Sequence, residues 1–329
     1  IAAVLSKGFK TLKTEGNFNN DIGVPLTLFR LTEKDKAAVI EMGMNHFGEL
    51  SNLTSIACPD IAVITNVGVS HIENLGSREG ILKAKCEIFE SMADGAKIVN
   101  GDDDMLCTIK DKYTNVRFFS VKDKNADIYA DDIKENGLDG ISCTIHIGGE
   151  KISVNIPVPG MHMVYNAMAA AGVAHELGIS FNKIKEGIEE FKPTKMRMDI
   201  IKLDNITIIN DVYNSNPVSA KAGIDVLAGV KGDKLAILGD MLELGDFSEK
   251  LHAEVGEYTA EKGIPTVCIG KESKAMYDAC SEKVSAWYFE TVDKFLAQKD
   301  EIIKNGTTVL VKASRGMKFE RITEALKNE

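Results

Sequence analysis

Short apolar runs rich in β-branched residues recur along the chain, and each stops abruptly at a polar or glycine-bearing segment. The runs are 36–41 (KAAVIE), 61–64 (IAVI), 96–100 (AKIVN), 207–210 (TIIN), 235–238 (LAIL) and 308–312 (TVLVK). Each has the length and composition of a buried strand. Between them lie stretches with helical spacing, such as Ile81, Leu82, Ala84, Ile88 and Phe89. Strands alternating with helices predict an α/β chain with mainly parallel sheets. In such sheets ligands sit beyond the carboxyl ends of the strands, so the polar segments after each run are the places to look for chemistry.

The richest of these is 61–89, IAVITNVGVSHIENLGSREGILKAKCEIF. After the strand come Thr65, Asn66, Gly68, Ser70, His71 and Glu73, and then a helix whose apolar face tilts Lys85 toward the core. A satisfied core histidine and a snorkelling lysine would be the plain reading of either residue alone. The spacing TNVGxSHxExxGSxExIxxAKxEI, however, resembles the Mur ligases, the ATP-dependent amino-acid ligases of peptidoglycan synthesis. Among them it is most similar to the branch that adds D-alanyl-D-alanine to a UDP-muramoyl tripeptide. The resemblance implies that His71 helps hold a magnesium ion and that Lys85 is carbamylated, becoming an anion that braces the metal.

The same resemblance extends along the chain. Residues 15–25, dense in asparagine and glycine, read as a turn and match the GNxNNDIGVP segment, which implies that Asn19 and Asn20 lie beside the nucleotide phosphates. The strand 36–41 ends in EMGMNHFGE, similar to EMGxNHxGE; there Glu41 is implied as a magnesium ligand and Asn45 and His46 as acceptor contacts. Glu49 reads better as a helix-start carboxylate favoured by the dipole. The acids 102–104 read as a turn or helix cap rather than a metal site. Residues 141–147 and 151–156 alternate with period two around Gly148-Gly149, predicting a hairpin, with His146 solvated on its polar face. The helix from 161 resembles PGxHNxxNAxAA, placing His162 and Asn166 near the adenine of ATP, although Met163 replaces the usual asparagine. Residues 192–199 read as a linker in which Arg197-Met198 matches RM(E/D); Arg197 is either a phosphate contact or a surface cation. Beyond it, DVYNSNPVS resembles DxYNANPxS and implies nucleotide and substrate contacts from Asp211, Asn214 and Asn216. LGDMLELG, followed by a helix bearing His252, is the signature of the dipeptide-adding branch and associates Asp240 with the incoming dipeptide. VLVKASRGM is similar to VLVKGSRxM, with Ala313 for glycine, and implies substrate contacts from Lys312, Ser314 and Arg315.

The expected architecture is a central, mainly parallel-sheet domain of ATPase type over 1–195, followed by a smaller Rossmann-like α/β domain over 196–329. The implied reaction phosphorylates the tripeptide carboxylate with ATP, and the dipeptide amine then attacks the acyl phosphate while the last domain swings in. Two other readings are a sister amide ligase, of folylpolyglutamate or cyanophycin type, and a non-catalytic binding module. The chain starts at Ile1 in what reads as the tail of a helix, without a uridine-binding domain or a Walker A loop. Ser6-Lys7-Gly8 does not replace that loop, so a fragment close to inactive by itself is expected. A net charge of −10 argues against nucleic acid as a partner. Scattered cysteines and the lack of a long apolar run point to a cytoplasmic protein without a membrane span, expected as a monomer on small-molecule substrates.

Overall fold

The computed structural model describes residues 1–92 and 94–328 and divides into two units, 1–191 and 192–329 apart from brief exchanges at 137–139 and 158–160. In the first unit, β1 (Thr11–Lys13) pairs in parallel with β2 (Ala37–Val39) as a separate ribbon. The run 36–41 is thus not a buried strand: Ala38 is exposed and its neighbours half-buried. The main sheet takes β3 (Ala62–Ile64), β4 (Lys97–Asn100), β5 (Val116–Ser120), β6 (Ile128–Glu135), β7 (Ile141–Ile147) and β8 (Glu150–Ile156) in that spatial order. β3 to β6 are parallel, and β6 to β8 form an antiparallel meander. Gly148 and Gly149 turn the last hairpin at φ 59° and 81°, conformations that glycine adopts without a Cβ penalty. His146 is not simply solvated. It stacks on Tyr129 at 4.2 Å and its Nε2 lies 2.9 Å from Asp131, a pair offered by the neighbouring strand.

The helix Met161–Glu176 packs its alanine-rich face on this sheet, with Ala167, Met168, Ala171 and Ala174 buried against Ile98, Phe119 and Ile145. Small side chains there let helix and sheet approach closely. A second apolar cluster joins the helices Glu49–Ala57 and Arg78–Cys86 to β3 and β4. This second cluster seats the strand-end loops.

The second unit is one sheet in the order β13-β12-β11-β14-β10-β9, formed by β9 (Asp199–Lys202), β10 (Thr207–Asp211), β11 (Lys234–Gly239), β12 (Thr266–Ile269), β13 (Ala286–Phe289) and β14 (Thr308–Lys312). All neighbours are parallel except β9 with β10. β14, buried along its whole length, slots between β10 and β11, so three polar loops emerge side by side from the carboxyl edge.

Candidate functional site

In the first unit the candidate groups stand on loops whose backbones are held by side chains. Glu41 follows β2; its N–H donates to Thr14 Oγ1 at 2.9 Å and its carboxylate accepts from Asn19 Nδ2 at 2.9 Å. Asn19 also holds Gly43, whose N–H donates to its carbonyl at 2.7 Å. Asn20 Oδ1 accepts from Gly23 N at 2.8 Å and so opens the short helix Gly23–Leu28. Gly23 must lack a side chain, because a Cβ there would lie 2.3 Å from Phe18 Cα. Asn45 and His46 are exposed, and their N–H groups donate to Glu49 Oε2 at 2.5 and 3.1 Å. Those bonds, and the backbone of Asn45 first, hold the Glu49 carboxyl below its ordinary value. Glu49 therefore shapes the loop, as a helix-start residue should.

His71 adopts a left-handed conformation, φ 63°, at the entrance to the helical turn Ile72–Leu75. A non-glycine residue in that region points to a constrained loop. Lys85 lies on the helix Arg78–Cys86, capped by Ser77, and burial pushes its amine below the ordinary lysine range, with the Asp103 carboxylate pulling the other way. The acidic run 102–104 is spent internally. Asp102 accepts from Ser120, Val121 and Tyr165; Asp103 accepts from Val67, Met105 and Leu106; Asp104 takes Arg78. Among the described residues no group of three or more His, Cys, Asp or Glu is placed to hold a metal by itself. Lys7 is bound to Glu186 and Glu190 at 2.7 and 2.6 Å and is not offered to a phosphate.

In the second unit the strand-end loops are tied to one another. Lys312, only 2 % exposed, donates to Asp211 Oδ2 at 2.6 Å and to the Asn214 carbonyl at 2.9 Å. Burial lowers its amine's pKa despite the aspartate. Asp211 Oδ1 accepts from Met198 N at 3.1 Å, fixing a linker in which Met196 and Met198 both have positive φ, 66° and 49°. Between them Arg197 is exposed and lies 4.0 Å over the Tyr213 ring, a cation–π contact. Asp240 is 6 % exposed, and its carboxylate accepts from both N and Oγ of Ser273 at 2.7 and 2.6 Å. Ser314 donates to the Ser215 carbonyl at 3.3 Å and accepts from Leu242 N at 2.9 Å. His252 is fully buried: Nδ1 faces the Ser248 carbonyl at 2.7 Å and Nε2 accepts from Met241 N at 2.9 Å. It is therefore held neutral, and burial lowers its pKa.

Family models cover both units: the Mur ligase middle domain matches residues 1–174, and the model described as "Mur ligase, glutamate ligase domain" matches 196–315. The chain is 39 % identical to the UDP-N-acetylmuramoyl-tripeptide–D-alanyl-D-alanine ligase of Bacillus subtilis, over 99 % of its own length and 72 % of the relative's. It is 36 % identical to the enzyme of that name from Escherichia coli, over 99 % and 73 %. This chain belongs to the Mur ligase family. Solved structures agree: MurF from Acinetobacter baumannii superposes with a TM-score of 0.92 at 31 % identity, covering 100 % of this chain and 73 % of that one. MurF from Thermotoga maritima in complex with ADP gives 0.87 at 25 % identity, covering 99 % and 75 %.

In this Mur ligase the expected site residues differ in how far they face solvent. Glu41, Asn45, His46, Asn166, Arg197, Asn214 and Arg315 are exposed at loop or helix positions. Arg315 lies 3.3 Å from Glu320, and Asn166 touches the sulfur of Met163, the position that departs from the family pattern. Three residues expected to contact substrate, Lys312, Ser314 and Asp240, are buried, and a fourth, Asn216, is half-buried. Lys312, Ser314 and Asp240 brace neighbouring loops, as described, and Asn216 caps the helix Pro217–Ala228 through Ser219 at 2.9 Å. Each gives at least one polar atom to a backbone or side-chain partner. The motifs assign no role to Arg78, Glu87, Ser273 or Tyr213, whereas Asp103 caps a turn as expected. Arg78 carried a signal: it is a positive charge in the first turn of a helix.

Proposed function

We propose that this Mur ligase joins D-alanyl-D-alanine to UDP-N-acetylmuramoyl tripeptide at the expense of ATP, as a monomer in the cytoplasm. The observation that carries the reading is the desolvated Lys85 amine on the helix that follows the His71 loop. A lysine whose burial favours the neutral amine is one that can take up carbon dioxide: the nitrogen forms a bond to the CO2 carbon, a proton leaves, and a carbamate anion remains. An ammonium at position 85 would repel a metal, whereas a carbamate supplies the oxygen that a hard cation prefers. Glu41, His71 and carbamylated Lys85 would hold magnesium, an ion that keeps several positions for water and phosphate. When bound, the ion supplies neutralisation of phosphate charge.

The protein's own groups do the rest. Asn19 orients the Glu41 carboxylate and Asn20 sets the adjoining turn, beside the phosphates. His162 and Asn166 serve the adenine end, and Arg197, set over the Tyr213 ring, serves a phosphate, with Asp211 on the nucleotide side. Asn45 and His46 meet the acceptor, and Asn214 and Arg315 meet the dipeptide. Asp240, Asn216, Ser314 and Lys312 hold those loops in place. The reaction needs positioning more than covalent catalysis: phosphoryl transfer to the tripeptide carboxylate, attack by the dipeptide amine, loss of phosphate.

The test is phosphate release by the full-length protein with both substrates, for wild type and Lys85→Ala, with and without bicarbonate. Release that requires both substrates and falls at least ~100-fold in the variant is expected. Release with other acceptors only, or full activity of Lys85→Ala, overturns the reading.

A further inference from the structure

The helix that carries Lys85 is gripped at both ends. At its start, Arg78 donates from Nε and Nη2 to the Val67 carbonyl at 3.2 and 2.9 Å, while Nη1 and Nη2 take both oxygens of Asp104 at 2.7 and 2.5 Å. The Val67 N–H is held in turn by Asp103 at 2.7 Å, and Asn100 Nδ2 donates to the Thr65 carbonyl at 3.1 Å. Both backbone groups of Val67 are thereby engaged by side chains, four residues before His71. Past the other end of the helix, Glu87 is buried and accepts from Gly48 N at 2.9 Å with each oxygen and from Ser51 N at 3.3 Å. It closes the N-terminus of the helix Glu49–Ala57, directly behind Asn45 and His46. That helix end would otherwise leave unpaired amides.

Arg78 does not sit where its own helix favours it, because the macrodipole disfavours an arginine in the first turn. The Glu87 carboxylate is spent on the amino terminus of a different helix. The Arg78–Asp104 pair is 35 % and 70 % exposed at its side chains, so as an ion pair it adds little stability. What the two residues gain is a fixed relation between elements. Arg78 and Lys85 are seven residues apart on one helix and so share a face.

We propose that Arg78 and Glu87 are positioning residues of the ligase site, clasping the Lys85 helix to the His71 loop at one end and to the Asn45–His46 loop at the other. Arg78 serves the metal side and Glu87 the acceptor side. The inference rests on the reading of Glu41, His71 and Lys85 given above, and its test separates the two.

The experiment uses the full-length protein. Manganese binding is followed by electron paramagnetic resonance, and steady-state kinetics are measured with the muramoyl tripeptide. Arg78→Ala is expected to weaken manganese binding about tenfold and to leave the tripeptide KM within about twofold. Glu87→Gln, isosteric but with one acceptor oxygen, is expected to raise that KM about tenfold and to leave manganese binding within about twofold. Arg78→Lys, which keeps the charge but not the fork, should fall between Arg78→Ala and wild type. Wild-type values in both variants overturn the clasp, as do parallel changes of both parameters in both variants, since those report general loosening. If Arg78→Ala does not fold, Arg78→Lys and Glu87→Gln decide by the same split. Glu41→Gln is the control: manganese binding unchanged in that variant removes the metal-site reading, whereas its loss there with wild-type behaviour at 78 and 87 removes only the clasp.

Discussion

Replacing Asp211 by asparagine removes the charge facing Lys312 while keeping an oxygen for Met198 N. Lys312 is 2 % exposed, so its ammonium would be left with the Asn214 carbonyl alone. Breaking a buried pair from one side costs about 3–5 kcal/mol. Deprotonation sets a ceiling. For an amine of ordinary pKa 10.5, giving up the proton costs about 5 kcal/mol at pH 7 and about 2 kcal/mol at pH 9, at 1.36 kcal/mol per unit. Burial holds the folded-state amine below 10.5, so in the interval below that value the unfolded chain binds more protons and stability rises with pH. Loss of Asp211, which raises the amine's pKa, extends the interval downward. Trp287, the chain's one tryptophan, lies on β13 and reports unfolding of the second unit in urea. Asp211→Asn is expected to lose about 3–5 kcal/mol at pH 7 and no more than about 2 kcal/mol at pH 9. Adding Lys312→Met should recover most of the loss, because no buried charge then remains. A deficit below about 1 kcal/mol at pH 7, or one that does not shrink at pH 9, refutes the argument.

Three further outcomes follow from the packing of the two units taken separately. His252 has its pKa lowered below 6.5 by burial, so its contribution is complete above that pH and is lost as pH falls through the folded-state value; His252→Gln should flatten the wild-type loss of stability between pH 7 and pH 5 in tryptophan-monitored melts. Gly270 has φ 120°, and a Cβ there would lie 2.4 Å from the Asp240 carboxylate; Gly270→Ala should cost roughly 2–4 kcal/mol in urea unfolding. Gly23→Ala forces the 15–25 turn away from Phe18 and should raise the KM for ATP, measured by phosphate release, roughly tenfold, if that turn serves the phosphates.

Much of the fold could be read in the sequence because a buried parallel strand is a continuous apolar run and its end is a sudden change of polarity. Residues 61–64 and 308–312 show both. β6 could not be read this way: a bulge between Asp131 and Lys134, with Asp132 at φ 50°, breaks its alternation. β9, which begins at the last residue of what reads as a linker, was not legible, since three of its residues are only half-buried and Lys202 is exposed. Motifs located the candidate loops but not the direction of their side chains. Asp240 and Arg315 both follow a strand, yet one is spent on Ser273 and the other is exposed. That distinction depends on partners distant in the chain, as with Ser314 and Ser215.

The cross-bracing of the second unit's strand ends has a consequence for how such a sequence can drift. Asp240 answers Ser273, Ser314 answers both Ser215 and Leu242, and Lys312 answers both Asp211 and Asn214. A change at Asp240, Ser273, Lys312, Asp211 or Ser314 leaves a polar atom without its partner inside the protein, whereas Ser215, Leu242 and Asn214 take part through the backbone. Among related sequences Asp240 with Ser273, and Lys312 with Asp211, should therefore change in company or not at all. A survey in which Asp240 and Ser273 vary independently would show that the brace is dispensable.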